Sequence, residues 1–300
     1  MREADEAHVG GHMSKHRGNG IAAGNEDTAM ELKQLGKTGV MVPEIGVGVW
    51  RYRGGVEPLR RGIELGASLI DTAEVYGTED VVGKAIKGIR DGVFLATKVS
   101  GGNLRHDAVL RAAEASLRRL GTDRVDLYQI HWPDPNVPIK ETMRAMETLV
   151  DRGVVKFIGV SNFSLDELRA AEAAMSKYPI VANQVLYNLN RREIEADLMP
   201  YCQANGITII AFTPLDSGRL ARRTQYPPNP VGARALETVA AQVQKTLGQV
   251  ALNWCTSHAG VITIPKSDNA ARIAENCGAS GWRLTLDQVA LLDDAFAEED

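Results

Sequence analysis

The sequence predicts one α/β domain: a closed barrel of eight parallel strands, each followed by a helix. Three observations carry this expectation. Eight short apolar runs alternate with eight amphipathic helical patterns between residues 45 and 277. Their repeat of about 25–35 residues suits a parallel strand with a helical crossover. The glycine-rich phosphate loop of an open doubly wound sheet is incomplete. Gly46-Val47-Gly48-Val49-Trp50-Arg51 has two of its three glycines and runs on as a strand. Eight such units in about 250 residues match a (β/α)₈, or TIM, barrel.

The strands are expected at 45–50, 68–73, 93–99, 125–132, 157–161, 181–187, 208–213 and 261–265. The runs within 157–161 and 208–213 are apolar on both faces, as strands covered on both sides should be. The helices are expected at 57–65, 79–89, 107–120, 139–152, 165–176, 193–204, 234–247 and 269–277. Ser164-Leu165-Asp166-Glu167 reads as a capping box that opens one helix. Thr285-Leu286-Asp287-Gln288 reads as another, opening an extra C-terminal helix that runs to Phe296. Gly66, Gly121, Gly153 and Gly206 stand where a helix meets the next strand, the place for a left-handed C-terminal cap.

Residues 1–29 have another character, polar and glycine-rich without apolar periodicity. They are expected to form a disordered tail before a domain of residues 30–300, and Met30 resembles a natural start. His8, His12 and His16 would share a helix face, but Gly10, Gly11, Gly18 and Gly20 oppose a helix there, so no metal site is expected. The 300 residues, 44% of them hydrophobic, are enough for one large core. The formal charge of -4, without a basic block, argues against a nucleic-acid partner. The longest apolar runs, such as 206–212, are too short to span a bilayer, and no apolar leader segment is visible. Cys202, Cys255 and Cys277 are odd in number and widely spaced, which suits reduced thiols. A cytoplasmic monomer is therefore expected.

Four residues at successive strand ends suggest chemistry. Asp71, Tyr76, Lys98 and His131 lie at or just past the ends of the second, third and fourth strands. Barrel enzymes carry their sites at that rim. A phenol with a pKa near ~10 is a weak acid, and an ammonium within ~4–6 Å favours the phenolate and lowers that value. Lys98 can supply the ammonium, Asp71 can hold Lys98, and His131 can direct a substrate oxygen. This is a general acid beside an oxyanion-stabilising donor, suited to protonating the alkoxide of a reduced carbonyl. Schiff-base chemistry at Lys98 stays open at this level, although it prefers a lysine without a neighbouring carboxylate.

No side chain supplies a hydride, so a cofactor is implied. Ile264-Pro265-Lys266-Ser267, with Arg272 beyond it, leads from the last strand into a helix. Backbone N–H groups at that helix start, with two cations and a hydroxyl, suit a phosphate. They favour the 2′-phosphate of NADPH over NADH. Ser161, Asn162 and Gln184 at other strand ends offer groups for a carboxamide, and Phe212 offers a ring face.

These residues resemble the aldo-keto reductase superfamily from about Leu32 to Phe296. Leu69-Ile70-Asp71-Thr72-Ala73 with Glu79 and Gly83 is similar to the family's first motif. Lys156-Phe157-Ile158-Gly159-Val160-Ser161-Asn162-Phe163 is similar to the second. Ile264-Pro265-Lys266-Ser267 with Arg272 and Glu275 is similar to the third. The resemblance implies NADPH-dependent reduction of aldehydes and ketones, with Tyr76 as proton donor, Lys98 and Asp71 tuning it and His131 orienting the carbonyl. It implies Ser161, Asn162 and Gln184 on the carboxamide and Phe212 against the nicotinamide. Thr213 and Leu215 would line the pyrophosphate path. Gly48, Val49, Trp50 and Ile264 would lie beside the coenzyme. Lys266, Ser267 and Arg272 would hold the 2′-phosphate, with Glu275 and Asn276 near the adenine.

The sequence departs from the family pattern in three places. Ala67-Ser68 precedes the first motif where Phe-Arg or Tyr-Arg is frequent. Phe212 replaces a frequent tyrosine and keeps the ring face. The loop after Cys277 is short, and longer ones shape substrate pockets in some members. Trp50, Tyr52, Trp132 and Tyr187 are the expected lining of an aromatic mouth for small or medium carbonyls. Some members of the superfamily are NADPH-binding regulatory subunits. The complete set of four residues argues instead for turnover.

Overall fold

The computed structural model describes residues 29–224 and 227–297, so nearly all of the expected tail lies outside the described residues. A two-stranded antiparallel hairpin comes first, β1 (Leu32–Gln34) and β2 (Met41–Pro43). The parallel sheet follows in chain order: β3 (Val47–Gly48), β4 (Leu69–Asp71), β5 (Phe94–Val99), β6 (Val125–Ile130), β7 (Val155–Ser161), β8 (Ile180–Leu186), β9 (Thr208–Phe212) and β10 (Val261–Thr263). A parallel bridge between Ile45 and Thr263 joins the first and last strands and closes the ring. The Gly46 and Thr263 amides reinforce it by donating to Thr263 and Glu44 carbonyls at 2.8 Å.

The helices are α1 (Val56–Glu64), α2 (Glu79–Ile86), α3 (His106–Leu120), α4 (Ile139–Asp151), α5 (Leu165–Ala174), α6 (Leu198–Asn205), α7 (Pro230–Val243), α8 (Leu247–Ser257), α9 (Ala270–Cys277) and α10 (Leu286–Ala295). The expected caps are present. Gly66, Gly121, Gly153 and Gly206 all have positive φ, and both capping boxes form, at Ser164–Glu167 and Thr285–Gln288.

Several expectations need correction. The hairpin β1–β2 was not foreseen, because a three-residue strand carries almost no periodic signal. The helix expected at 234–247 is α7, which Gln244 ends in a left-handed conformation with φ 54°. A separate helix, α8, follows behind its own capping box, Thr246 with Gln249. It is buried over most of its length, so it lacks the polar face that periodicity detects. The helix expected from residue 193 begins at Leu198, after a single turn at Glu193–Glu195.

Alternation along the strands divides the core. Leu69, Ala96, Leu127, Ala182, Ile210 and Ile262 face inward and pack with Leu35 and Val42 of the hairpin, which plugs the N-terminal end of the barrel. Ile70, Leu95, Tyr128, Ile158 and Ile209 face the helices. Because the strand period is two, the next inward positions after Leu69, Ala96, Leu127 and Ala182 are Asp71, Lys98, Gln129 and Gln184. A polar layer therefore lies directly above an apolar one, and it is the floor of the candidate site.

Candidate active site

Lys98 is fully buried, and its Nζ donates to Asp71 Oδ1 at 2.5 Å and to the Thr72 carbonyl at 3.0 Å. The Tyr76 hydroxyl lies 3.5 Å from the same ammonium and 3.2 Å from His131 Nε2. The His131 ring meets Tyr76 edge-on, with centroids 5.3 Å apart. The four residues expected to act together are thus brought into one cluster. Tyr76 stands on the single turn Glu74–Tyr76, which Gly77 ends in a left-handed conformation. The Glu74 carboxylate accepts from the Ser100 amide and from Asn103 Nδ2, pinning the Tyr76 turn to the exit of β5.

Burial shapes the electrostatics. It pulls Lys98 below the usual lysine range, against the raising effect of Asp71. It lowers His131 to about 4, helped by the Lys98 charge, so the imidazole is neutral at neutral pH. The Tyr76 phenol is held above its ordinary range by burial and then by the Asp71 charge. This corrects the expectation that Lys98 depresses the phenol. The ammonium lies 1 Å closer to Asp71 than to the hydroxyl (2.5 against 3.5 Å). The resting site keeps its phenol protonated.

Gln129, unseen in the sequence, completes the floor together with the expected Gln184. Gln129 Nε2 donates to Asp71 Oδ2 at 3.2 Å, and Gln184 Nε2 donates to the same oxygen at 2.9 Å. Glu74 is the other omission. Both signals were present, Glu74 beside Tyr76 and Gln129 two residues before His131, but neither type is distinctive alone.

Ser161 and Asn162 follow the layer at the exit of β7. Asn162 has φ 60°, and its Nδ2 donates to the His131 carbonyl at 2.9 Å and to Ser161 Oγ at 3.0 Å. The amide nitrogens of Asn162 and Gln184 are thus engaged within the protein, and their amide oxygens accept no hydrogen bond among the described residues. Those free acceptor oxygens fit the NH₂ of a carboxamide. Phe212, half-buried at the end of β9, packs on the interior cluster. Beyond it Thr213, Asp216 and Ser217 have φ values of 52°, 45° and 54°. Asn188 Nδ2 on the Thr213 carbonyl and Asn190 Nδ2 on Asp216, at 3.0 and 2.9 Å, hold this strained loop, which includes Leu215.

The expected phosphate site differs in detail. The helix α9 opens at Ala270 rather than at Ser267, and Asn269 Oδ1 already accepts from the Ala271 and Arg272 amides. Its first N–H groups are therefore not free. Lys266 Nζ donates to Asp268 Oδ2 at 2.6 Å, and Asp268 Oδ1 accepts from the Arg53 amide at 2.8 Å. Ser267 is buried and makes a local turn with Asn269. Arg272 and Glu275 are exposed, and Asn276 is half-buried. Two cations and a hydroxyl remain grouped near the exit of β10, a set that still suits a phosphate monoester. Across the rim, a Cβ at Gly48 would lie 2.6 Å from the Ile264 carbonyl oxygen, so only glycine allows β3 to pass there. Val49 is buried in the core, with its amide on the Asp71 carbonyl.

The aromatic residues divide. Trp50 and Trp132 are each 53% exposed, with Trp132 stacked beside His131. Tyr52 is buried, and its hydroxyl donates to the Gly55 carbonyl at 2.8 Å. Tyr187 does not line the mouth. It is fully buried, stacked on Trp254, and bonded to Glu195 at 2.7 Å. Its place as the residue after an interior-facing Leu186 turns it to the outer side of the barrel.

Residues 44–297 match the model of the aldo/keto reductase family. The chain belongs to the aldo/keto reductase family. It is 38% identical over 280 residues to methylglyoxal reductase YeaE of Escherichia coli, covering 89% of this chain and 96% of that one. This aldo-keto reductase is also similar to the solved thermostable enzyme Tm1743, crystallised with the inhibitor epalrestat. The TM-score is 0.82 at 38% identity, covering 89% of this chain and all of that one (100%). An aldo-keto reductase from Klebsiella pneumoniae, solved in complex with NADPH, superposes with a TM-score of 0.81 at 34% identity, covering 89% and 95% of the two chains. This aldo-keto reductase is accordingly an oxidoreductase acting on carbonyls, on the barrel fold expected from its sequence.

Proposed function

We propose that this aldo-keto reductase reduces small aldehydes and ketones to alcohols with NADPH, and that Tyr76 delivers the proton. The observation that carries the reading is the Tyr76 hydroxyl held between Lys98 Nζ and His131 Nε2, at 3.5 and 3.2 Å. NADPH held by the residues named below would supply a hydride for the carbonyl carbon. The rest belongs to the chain. A carbonyl oxygen entering between Tyr76 and His131 meets a protonated phenol and a neutral imidazole in the Nε2–H form, both donors. As charge develops on that oxygen, the phenol proton moves to it and completes the alcohol. The phenolate left behind faces the Lys98 ammonium, whose charge counts for more because Lys98 is fully buried.

Asn162, Ser161 and Gln184 would orient the carboxamide, Phe212 would pack on the nicotinamide ring, and Thr213 to Leu215 would flank the pyrophosphate. Lys266 and Arg272 would hold the 2′-phosphate, Lys266 after exchanging Asp268 for it. Gly48, Ile264, Ser267, Glu275 and Asn276 would line the remaining path. Trp50 and Trp132 form the mouth, and the similarity to a methylglyoxal reductase makes a small dicarbonyl the first substrate to try.

The test is Tyr76→Phe assayed on an aldehyde panel that includes methylglyoxal. Loss of the general acid should lower kcat by roughly 10²–10⁴-fold, while NADPH binding, followed by quenching of protein fluorescence, is retained. Near-normal turnover in Tyr76→Phe would remove Tyr76 from this role. Tight NADPH binding by the unaltered protein without turnover of any carbonyl would favour a regulatory subunit instead.

A further inference from the structure

Gln129 is fully buried on β6, two residues before His131, with its side chain inside the barrel. A primary amide in that position is tolerated only when both of its ends are bonded. Its Nε2 donates to Asp71 Oδ2 at 3.2 Å, and its Oε1 lies 3.4 Å from Gln184 Nε2. The neighbouring strand makes room for it, since a Cβ at Gly159 would stand 3.0 Å from Gln129 Cγ. Asp71 thus divides its two oxygens, Oδ1 toward Lys98 and Oδ2 toward the two glutamines.

The division has a consequence for proton placement. A buried lysine and carboxylate can share their proton as ammonium and carboxylate or as amine and acid. Burial favours the neutral form, and hydrogen bonds donated to the carboxylate favour the charged one. Gln184 contributes such a bond but is also the residue assigned to the coenzyme amide. Gln129 is fully buried, and its Nε2 has no second partner among the described residues.

We propose that Gln129 is a positioning residue for proton transfer: its amide fixes Asp71 Oδ2 and keeps the Asp71–Lys98 pair ionised, so that an ammonium faces Tyr76. The inference rests on Tyr76 as proton donor. It acts through Asp71 and Lys98 without touching substrate. Replacing Gln129 leaves the carboxylate with one donor fewer, and Lys98 then gives up its proton at lower pH.

The experiment is Gln129→Met, close in volume but without a donor. The kcat is expected to fall roughly tenfold, the worth of a hydrogen bond to a charged group. The alkaline limb of the kcat profile should move to lower pH. The Kd for NADPH, read by fluorescence quenching, should stay unchanged. Gln129→Asn, whose amide is one methylene too short to reach Asp71, should shift the limb in the same direction and serves if Gln129→Met does not fold. An unshifted pH profile in a folded variant overturns the proposal, even if kcat falls with the melting temperature, because that pattern belongs to packing alone. Tyr76→Phe measured alongside separates the two readings. If it stays active, the proton-donor assignment fails. If it is inactive while the Gln129 profiles do not move, only the role of Gln129 fails.

Discussion

The ammonium of Lys98 stands 2.5 Å from the carboxylate of Asp71, and their side chains are 0% and 3% exposed. The two come from adjacent parallel strands, with Lys98 two residues beyond Ala96, the register partner of Asp71. A buried pair of this kind is worth little as a pair but costs much when one partner is removed. Asp71→Asn or Lys98→Met alone should destabilise the fold by about 3–5 kcal/mol. The double variant Asp71→Asn/Lys98→Met should recover much of that loss without recovering turnover. Chemical denaturation of the three proteins measures the first effect, and aldehyde-dependent NADPH oxidation the second. Additive losses in the double variant would show that the pair does not act as a unit.

The coenzyme preference should depend on Arg272. Its side chain forms no ion pair among the described residues, whereas Lys266 is already paired with Asp268. Arg272→Ala should therefore raise the Kd for NADPH at least tenfold, about the value of one charge-assisted contact, and leave the Kd for NADH nearly unchanged. Equal weakening of both would place the 2′-phosphate elsewhere.

Acid should loosen the site through His131. Its ordinary value of 6.5 falls to about 4 in the fold, mainly through burial. On acidification the unfolded chain takes up this proton first. The stability contributed by the neutral imidazole is complete above about pH 6.5 and is lost as the pH falls through about 4. His131→Asn should flatten the fall in Tm between those two values. A slope identical to that of the unaltered protein would assign the acid sensitivity to other groups.

The thiols should be inert in the native state. Cys202 and Cys255 are fully buried and Cys277 nearly so. Burial pushes the Cys202 thiol to about 12 and Cys277 to about 11, and raises Cys255 further. A chromogenic disulfide should find no fast thiol in the folded chain and all three after denaturation. Rapid modification of the native protein would expose an opening motion at α6, α8 or α9.

The strand-and-helix frame was legible because period-two and period-3.6 patterns survive in residues 45–277, and because glycines mark the helix ends with positive φ. The helix α8 was not, since burial on nearly all sides erases its polar stripe. At the site, Asp71, Lys98 and His131 were readable as unusual side chains at strand ends. Tyr187 was misread because an aromatic residue after a strand looks the same whether it faces the rim or the outer core. The helix N-terminus at Ala270 was expected to be open, and only the side-chain conformation of Asn269 shows it capped.

By itself, the sequence determined the barrel and the short set of residues able to move a proton, because both follow from spacing along one chain, and its three motifs carried the resemblance to the family. Tertiary structure decided how those residues divide their charge. Lys98 favours Asp71 over Tyr76, Gln129 and Gln184 converge on one carboxylate oxygen, and Lys266 is held by Asp268. Such choices depend on burial and on distances of a few ångströms between strands far apart in sequence, and pattern along the chain carries neither.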